Sequence, residues 1–413
     1  MTIARSRIAA LAVLLILPRL AGAQVVSQRG FVDVALTSFP QDAPNDDVNN
    51  IGDLLIREEV FVKPSPFLQF AAGADVRANT HDQVDASVNI DDRDLKRPAL
   101  SIRRLSATLN RGAFTLDVGK QFIRWGKTDI LTPTDRFAPR DFLNVIDTEL
   151  LPVTGVRGNV RAGNDDIEVV WVPIFTPSRI PLLDQRWAVL PAGAPQNIVQ
   201  AAPDLPGGSQ AGVRWSHTGS RIEYALMFFD GFNYLPNFEA LPPSATSRPD
   251  QLAIVARYPS LRSYGGDVAV PTRWFTLKAE AAYLTSSTPL TDEYVLYVFQ
   301  LERQTGEWSF VGGYAGDHVT KQQAVASFAP DRGLTQALIG RAAYTLDVNR
   351  SLAFETAIRQ NGDGAYVKAE YSQARGAHWR ATISGALIRG EPDDFIGQYR
   401  LNSHLTVAVR YSF

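Results

Sequence analysis

The chain has 413 residues, no cysteine and a formal net charge of −2. The lack of cysteine excludes disulfides and thiolate metal sites, and the nearly balanced charge gives no reason to expect a nucleic acid partner. Mean hydropathy is −0.10, and beyond the first segment no run approaches the roughly 20 apolar residues of a membrane helix.

The first segment has the features of a secretory signal peptide. Basic residues precede the apolar run Ile8 to Leu17, and Ala21-Gly22-Ala23 supplies small residues for cleavage. The apolar run is too short to span a bilayer. We therefore predict that residues 1–23 are removed and that 24–413 form one exported domain.

Segments of alternating apolar and polar residues recur from Gly30 almost to the end of the chain. Very short turns alternate with longer polar or proline-rich connections. The short turns are predicted at Lys63–Pro66, Asn110–Ala113, Gly163–Asp166, Thr218–Ser220, Pro271–Arg273, Gln304–Gly306, Asp347–Arg350 and Gln373–Gly376. Outer-membrane barrels combine short periplasmic turns with longer outer loops, whereas a soluble meander has no reason to keep every second turn short.

About nineteen segments qualify as strands, but a bacterial single-chain barrel needs an even number. The weakest candidate is Gln251–Tyr258, which only Pro259 and no clear turn separate from the strand at Tyr264–Val270. We interpret the two as one long strand with an irregular outer extension. The sequence thus predicts an all-β fold, a transmembrane antiparallel up-and-down barrel of about 18 strands, with 16 as the alternative.

The segment Gly119–Asp141 leaves a strand and enters a long outer connection. Strict alternation would point Lys120 and Arg124 at lipid, so we favour a bulge near Gly119 that reverses their facing. Seven charged residues of the segment would then gather near the outer mouth: Arg124, Lys127, Asp129, Asp135, Arg136, Arg140 and Asp141. They could form a substrate filter or a salt-bridged loop.

The connection Ile174–Ser209 is long and rich in proline and apolar residues. Loops of this length are usually functional or disordered. Folded into the mouth it would narrow the pore, and left outside it would cap the barrel or contact lipopolysaccharide. The sequence leaves both alternatives open.

Facing follows from the period of two along a strand. Leu277 and Ile383 point to lipid, which directs Lys278, Glu280 and Arg380 into the lumen. The same argument places further charges inside: Arg157, Arg161, Arg214, Arg341, Arg359, Lys368, Arg410, Glu168, Glu223, Glu302, Glu355, Glu370, Asp33 and Asp75. This nearly balanced set could create a field across a water-filled passage, or it could pair across strands and fill the barrel.

The last segment, Ser403–Phe413, alternates strictly and ends in an aromatic residue. It resembles the terminal signal that Gram-negative barrel-assembly machinery reads. Apolar residues on one face and an aromatic end suit a strand in an outer membrane. We expect contacts with outer-membrane lipid and lipopolysaccharide, and with the assembly machinery during biogenesis.

Short motifs extend the resemblance over most of the mature chain. They are Gly119-Lys120-Gln121, Trp125-Gly126, Pro139-Arg140-Asp141, Tyr264-Gly265 and the strand Phe275–Tyr283. Together they resemble a largely uncharacterised family of Gram-negative outer-membrane barrels that is similar in appearance to alginate-export porins. The resemblance implies an arginine-rich passage for an anionic polysaccharide, with Lys120, Arg124 and Arg140 as the residues of this chain along it.

An outer-membrane hydrolase is the main rival. The five histidines, His81, His217, His318, His378 and His404, are scattered, and none lies beside an obvious nucleophile. The acidic groups Asp42, Asp46 and Asp47, and Asp91, Asp92 and Asp94, could bind calcium, but solvated loops are the favoured interpretation.

The function that the sequence favours is passive, charge-biased diffusion of small polar or anionic solutes, with no covalent step, cofactor or metal. A hydrolase and a structural or adhesive barrel remain the alternatives.

Overall fold

Strict alternation over many short segments produces eighteen antiparallel strands that close into one barrel. The computed structural model describes residues 26–189, 198–241, 252–323 and 326–413, so the predicted signal peptide lies outside the described residues. The barrel confirms the all-β fold and the prediction of 18 strands.

The barrel strands are β1 (Val26–Ser38), β2 (Asn50–Ser65), β3 (Leu68–Asn79), β5 (Arg97–Arg111), β6 (Phe114–Gln121), β9 (Val153–Ala162), β10 (Asp165–Val172), β12 (Gln210–Thr218), β13 (Glu223–Phe232), β16 (Ser260–Pro271), β17 (Thr276–Thr285), β18 (Glu293–Thr305), β19 (Trp308–Lys321), β21 (Ala337–Asp347), β22 (Arg350–Arg359), β23 (Gly364–Arg375), β24 (Trp379–Gly390) and β25 (His404–Ser412). Seven shorter strands lie in the connections: β4 (Val84–Asn89), β7 (Arg140–Asp141), β8 (Glu149–Leu150), β11 (Ile198–Gln200), β14 (Asn237–Ala240), β15 (Leu252–Arg257) and β20 (Ala326–Ser327).

The first and last strands close the barrel. β1 pairs antiparallel with β25 over the register Phe31↔Ser412 to Ser38↔Leu405. The terminal residue belongs to this seam, since Gly30 N donates to Phe413 O at 3.1 Å and Phe413 N donates to Gly30 O at 3.0 Å. Closure leaves no sheet edge, which is the requirement for a sheet in lipid.

The outer face is apolar and carries an aromatic belt at the short-turn end. On β25, for example, Leu405, Val407 and Val409 are exposed on the outside. The exposed aromatic residues near the short turns are Phe67, Phe114, Trp215, Trp274, Phe275, Trp308, Phe310, Trp379, Tyr411 and Phe413. Such belts place amphipathic rings at a membrane interface.

The connections follow the predicted alternation with one exception. Eight short turns lie within a few residues of their predicted positions. At the opposite end, which we call the long-loop end, the connections are longer, but β22 and β23 are joined by residues 360–363 alone. Strict alternation of short and long connections is therefore wrong at that point.

The interpretation of Gln251–Tyr258 as an extension of the next barrel strand is wrong. Within that segment, β15 pairs with β14 and β11 in a separate four-stranded sheet in the connections. The barrel strand β16 begins only at Ser260. The reason is pairing: β13, the barrel neighbour of β16, is matched from Phe232↔Ser260 and offers β15 no partner.

Helices are minor in the described ranges. They are α1 (Pro330–Gly333) and a 3₁₀ helix at Gly397–Asn402. Among the residues described, no helix has the length and apolar character needed to cross a membrane.

The seam register can be tested by cross-linking, because the chain contains no cysteine. Ala35 stands opposite Ala408, and opposed residues on one face place their Cβ atoms about 4.5–5.5 Å apart, within reach of a disulfide after slight adjustment. We expect A35C/A408C to form an intramolecular disulfide, detected by gel mobility with and without reductant. The matched variant A35C/V409C places its thiols on opposite faces and should not cross-link, and the reverse result would contradict this register.

Candidate functional site

The connection 122–152, which we call the inner loop, folds into the barrel. Trp125 and Phe137 are buried there, with ring centroids 5.0 Å apart, and Phe137 packs edge-on against Phe229 of β13 at 5.0 Å. They belong to a core formed with inward-facing residues of the wall. Apolar burial therefore draws the loop against the wall.

Glycines on the wall permit this close approach. A Cβ at Gly212 would lie 2.6 Å from the Trp125 ring, and one at Gly265 would lie 3.1 Å from Thr134. The Tyr264-Gly265 motif thus has a structural explanation: a Cβ at Gly265 would lie 2.8 Å from Ala281 O of the adjacent strand as well as close to the inner loop.

A single wall carboxylate organises the loop. Glu280 of β17 is 2% exposed, and its two oxygens accept the backbone N–H groups of Lys127 (2.8 Å), Thr128 (3.0 Å) and Thr134 (2.8 Å) as well as the Thr134 hydroxyl (2.8 Å). Glu280 was predicted to line the pore, but the structure places it beneath the loop as an anchor.

The neighbouring wall positions add a second anchor. Gln300 accepts Asp129 N at 2.9 Å and donates to the Asp129 carboxylate at 2.6 Å. Lys278 reaches the same carboxylate at 3.3 Å and also pairs with Glu302. The loop is therefore bound to β17 and β18 by polar contacts on top of its apolar packing.

The far part of the inner loop reaches the opposite wall through three ion pairs made by two carboxylates. Asp147 pairs with Lys368 of β23. Glu149 pairs with Arg77 of β3 at 2.5 Å and with Arg57 of β2 at 3.5 Å. Burial alone would raise the pKa of Glu149, but Arg77, Arg57 and Arg103 outweigh burial and lower that pKa to about 2.

A polar cavity of about 560 Å³, the channel cavity, lies between this part of the loop and the wall. Its walls are the inner faces of β1–β3 and β23–β25. The charged residues that line it are Asp33, Asp53, Arg77, Arg97, Asp147, Glu149, Lys368, Glu370, Arg380 and Arg410. Charges of both signs thus face the same space.

Most of the predicted inward charges lie in pairs. The pairs are Arg157–Glu168 (2.6 Å), Arg214–Asp267 (2.8 Å), Arg359–Asp394 (3.0 Å), Arg410–Asp33, and Arg161–Asp166 (3.5 Å) at the short-turn rim. Glu355 accepts a hydrogen bond from the Tyr366 hydroxyl. Arg341 faces Glu355 across the β21–β22 register without an ion pair within the described ranges, and Glu370 and Arg380 line the channel cavity unpaired with any described residue.

The predicted register reversal at Gly119 is wrong. β5 and β6 stay in register from Arg111↔Phe114 to Leu105↔Lys120. The register shift occurs instead between β5 and β3, opposite Gly73 and Ala74 of β3. Lys120 therefore remains on the side of Leu105, which is 58% exposed. It is nevertheless only 4% exposed, because its ammonium group donates to Asp92 at 2.6 Å and to the Ile90 carbonyl.

The acidic clusters are not simply solvated loops. Asp46 is buried and accepts from His81 Nε2 at 2.8 Å and from Arg186 N at 3.0 Å. Asp92 is buried between Lys120 and Arg179 (2.8 Å). The solvated interpretation is wrong for these two residues, since buried side chains from other parts of the chain bind them: His81 and Arg186 at Asp46, and Lys120 and Arg179 at Asp92.

A buried ionic network joins the connections at the long-loop end. Asp141 of the inner loop binds Arg97 at 2.8 Å and Arg179 at 3.3 Å, and Arg179 continues to Asp92. The guanidinium groups outweigh burial, which alone would raise the pKa of Asp141, and hold that pKa far below its usual range. Asp141 therefore stays ionised at any ordinary pH.

The connection 173–209 was predicted either to fold into the mouth or to stay outside. Its described parts, 173–189 and 198–209, follow the first alternative. Trp187 packs against Tyr399 with ring centroids 5.5 Å apart and against His404 at 6.2 Å. Asn402 donates to Arg186 O at 2.8 Å. His404 faces the barrel interior, so this segment narrows the mouth.

The described histidines form no catalytic constellation with a hydroxyl. His81 binds Asp46, and His217 binds Asp165 at 3.0 Å. His378 and His404 contact backbone carbonyls. In the ranges that the structure describes, no group of three or more metal-ligating side chains is close enough to hold an ion.

Two arginines at the long-loop end, Arg136 and Arg140, take part in none of the ion pairs described above. Arg124 pairs with Asp135 at 3.2 Å and is half exposed, whereas Arg136 and Arg140 line a second cavity. Arg136 was predicted only as one of the charges near the outer mouth and not as a residue along the passage. No sequence signal separates it from Arg124, because only the folded loop decides which guanidinium finds a carboxylate.

Comparison with known proteins shows which proteins share this fold. No family model matches the chain, and no curated protein matches it. Among solved structures, it is similar to a BenF-like porin from Pseudomonas fluorescens Pf-5 (8% identity, TM-score 0.54, covering 94% of this chain and 97% of that one).

Two further solved structures have a similar fold. They are the outer membrane protein opdK from Pseudomonas aeruginosa (10% identity, TM-score 0.54, 94% and 98% covered) and OccAB3 from Acinetobacter baumannii (8% identity, TM-score 0.54, 94% and 99% covered). The chain has the fold of outer-membrane porins.

The Glu280 anchor predicts a measurable loosening of the inner loop. In E280Q, an amide N–H₂ group faces buried donors, which should cost about 1–3 kcal/mol locally. We expect trypsin to cleave the folded barrel at Lys127 about 5- to 150-fold faster, since tenfold corresponds to about 1.4 kcal/mol. Glu239, whose side chain is 55% exposed, supplies the control E239Q, and equal cleavage of E280Q and E239Q would contradict the anchor.

The lowered pKa of Glu149 predicts how acid affects the far part of the loop. Its folded pKa of about 2 lies below the unfolded value of about 4.3, so the stabilisation is full above the latter and is lost as pH falls toward 2. Hydrogen exchange of 144–151 should be slower in the wild type than in E149Q at pH 6. That difference should shrink between about pH 4 and pH 2, and a constant difference would show that Glu149 does not clamp the loop.

Proposed function

We propose that this protein is an outer-membrane channel for passive, charge-biased diffusion of small polar or anionic solutes. The observation that carries the proposal is the channel cavity of about 560 Å³, lined by charges of both signs inside a closed barrel. The inner loop forms one side of this cavity, and β1–β3 and β23–β25 form the other.

The barrel surface supports a location in the outer membrane. The exposed apolar outer face and the aromatic belt fit lipid, and the C-terminal Phe413 closes the seam with Gly30. The porin fold agrees. Lipid and lipopolysaccharide would contact the outer surface, and the barrel-assembly machinery would insert the chain.

The arrangement of the inner loop supports selection rather than free flow. The loop is held to one wall by Glu280 and reaches the other through Asp147 and Glu149. Glu370 of β23 and Arg380 of β24, neither paired with a described residue, lie on adjacent strands of one wall of the channel cavity, so a solute there meets both signs of charge. No covalent step is needed, and we propose a channel without enzymatic activity.

Planar-bilayer recording of the refolded mature protein tests the proposal. We expect stable single-channel steps and, under a salt gradient, a reversal potential that R380Q shifts toward cation selectivity and E370Q shifts toward anion selectivity. Removing one lumen charge changes the local field and leaves side-chain size nearly the same. The control R221Q alters an exposed residue at the short-turn end and should leave selectivity unchanged.

Silent bilayers containing verified folded barrels would refute an open channel. Shifts of the same sign in R380Q and E370Q would refute the role of the channel cavity in selectivity.

A further inference from the structure

A groove in the lipid-facing surface of the barrel crosses the strands from β18 to β23. It has a volume of about 700 Å³, and we call it the lipid-face groove. Its lining combines small residues with exposed large apolar ones. These residues are Gly312, Gly340, Ala342 and Thr356, with Phe275, Leu301, Phe310, Phe354 and Val367 around them.

The groove exists because small residues stand between large ones on the outer face. Gly312 and Gly340 are opposite each other in the β19–β21 register, and Ala342 stands between Phe310 and Phe354. A Cβ at Gly312 would meet nothing within 4 Å, and one at Gly340 would meet only ordinary contacts at 3.8 Å. Packing of the wall therefore does not fill the space outside these two glycines.

Three further charged residues border the groove but belong to the inner face. Glu302, Arg341 and Glu355 occupy the inward positions of the alternation. Glu302 pairs there with Lys278, and Glu355 accepts the Tyr366 hydroxyl. Among the lining residues, Arg303 is thus the charged one on the outward side.

Arg303 lies at the short-turn end of the groove together with a second arginine. Arg303 stands opposite Phe310 in the β18–β19 register, and Arg273 lies in the turn before β17. Both side chains are exposed, and their guanidinium carbons lie 5.9 and 4.5 Å from the centroid of the Trp274 ring. Neither guanidinium forms an ion pair with a residue that the structure describes, and this includes Glu307 of the adjacent turn.

This arrangement matches the two parts of a phospholipid. The short turns lie on the periplasmic side, and aromatic residues such as Trp274 mark the level of the headgroups. Guanidinium groups with free donors suit the oxygens of a phosphate. The groove of about 700 Å³ is larger than the roughly 150 Å³ cavity that accommodates benzene, so part of an acyl chain fits it.

A second groove on the outer face shows what the arginines add. It has a volume of about 320 Å³, lies across β2, β3, β5 and β6, and is lined by uncharged residues alone, among them Val60, Phe70 and Leu105. It offers a chain the same apolar contacts but no counter-charge for a headgroup. Charge complementarity therefore singles out the lipid-face groove for an anionic lipid.

We propose that the lipid-face groove binds an anionic phospholipid of the periplasmic leaflet. Arg303 and Arg273 bind its phosphate beside Trp274, and one acyl chain lies over Gly312 and Gly340 against Phe310. The site is on the outer surface of the barrel, so it does not depend on conduction through the lumen.

Native mass spectrometry of the refolded barrel, released from a non-denaturing detergent, tests the headgroup contacts. Phosphatidylglycerol and phosphatidylcholine with identical chains are titrated separately. We expect phosphatidylglycerol to bind at least about fivefold more tightly, since one arginine near an anionic headgroup accounts for about that factor. R303Q should weaken phosphatidylglycerol binding about fivefold and leave phosphatidylcholine unchanged, whereas R221Q, at another short turn, should match the wild type.

A second variant tests the place of the acyl chain. In G340L the new side chain fills the groove without a clash in the wall, and phosphatidylglycerol binding should weaken at least about fivefold. The matched control is G158L, because a Cβ at Gly158 of β9 would also meet nothing within 4 Å. Glycerol 3-phosphate, which has the phosphate but no chain, should not displace the lipid.

Several outcomes would overturn the proposal. They are equal affinity for the two lipids, wild-type affinity in folded R303Q, and displacement by glycerol 3-phosphate, which would indicate a site for free anions. A lipid-free dimer that G340L abolishes would assign the groove to a second copy of the chain. Heat-dependent gel mobility verifies folding, and R273Q carries the same expectation if R303Q does not fold.

The result is separate from that of the channel test. A conducting barrel without lipid preference would refute this site alone. A barrel that binds phosphatidylglycerol selectively but passes no ions would refute the channel and retain the site.

Discussion

The structure depends on one constraint: in lipid, every backbone N–H and C=O group must find its partner within the protein. The barrel meets it by pairing β1 with β25 and by bonding Phe413 to Gly30 at the seam. A closed sheet with apolar residues outside directs alternate residues inward. The polar interior is therefore a consequence of closure, and function depends on what the protein does with that interior.

The inner loop is the main feature that the protein places in this interior. A loop inside a barrel must satisfy its own backbone groups, and this one does so on a single wall carboxylate, Glu280, with Gln300 as a second partner. Apolar packing of Trp125 and Phe137 fixes its near side. The ion pairs of Asp147 and Glu149 fix its far part. Rigid attachment at both places divides the lumen into a filled side and an open side.

Pairing sorts the charges of the lumen by role. The Arg157–Glu168 and Arg214–Asp267 pairs stabilise the wall and leave little charge for a solute. Among the groups that stay unpaired with described residues, Arg380 and Glu370 lie in the channel cavity, and Arg136 lines the second cavity at the long-loop end. A nearly neutral lumen can thus present local fields of either sign.

The sequence by itself determined the barrel. Its class, the short turns and the inward facing of Lys278 and Arg380 follow from a period of two, which is local in the chain and survives in the folded state. The number of 18 strands, with 16 left open, also required the rule that such barrels have an even number. It did not determine which inward charges are paired. Glu280 and Arg380 look alike in the alternation, yet one is sealed under the inner loop and the other lines the open side.

Only the tertiary structure decided these outcomes, because they depend on contacts between residues far apart in sequence. Lys120 keeps its outward register, but Asp92, 28 residues earlier, covers it. The sequence of β15 was interpreted as part of a barrel strand, but β15 pairs instead with β11 and β14. Arg136 and Arg124 lie in the same loop, and only folding brings the Asp135 carboxylate within 3.2 Å of Arg124.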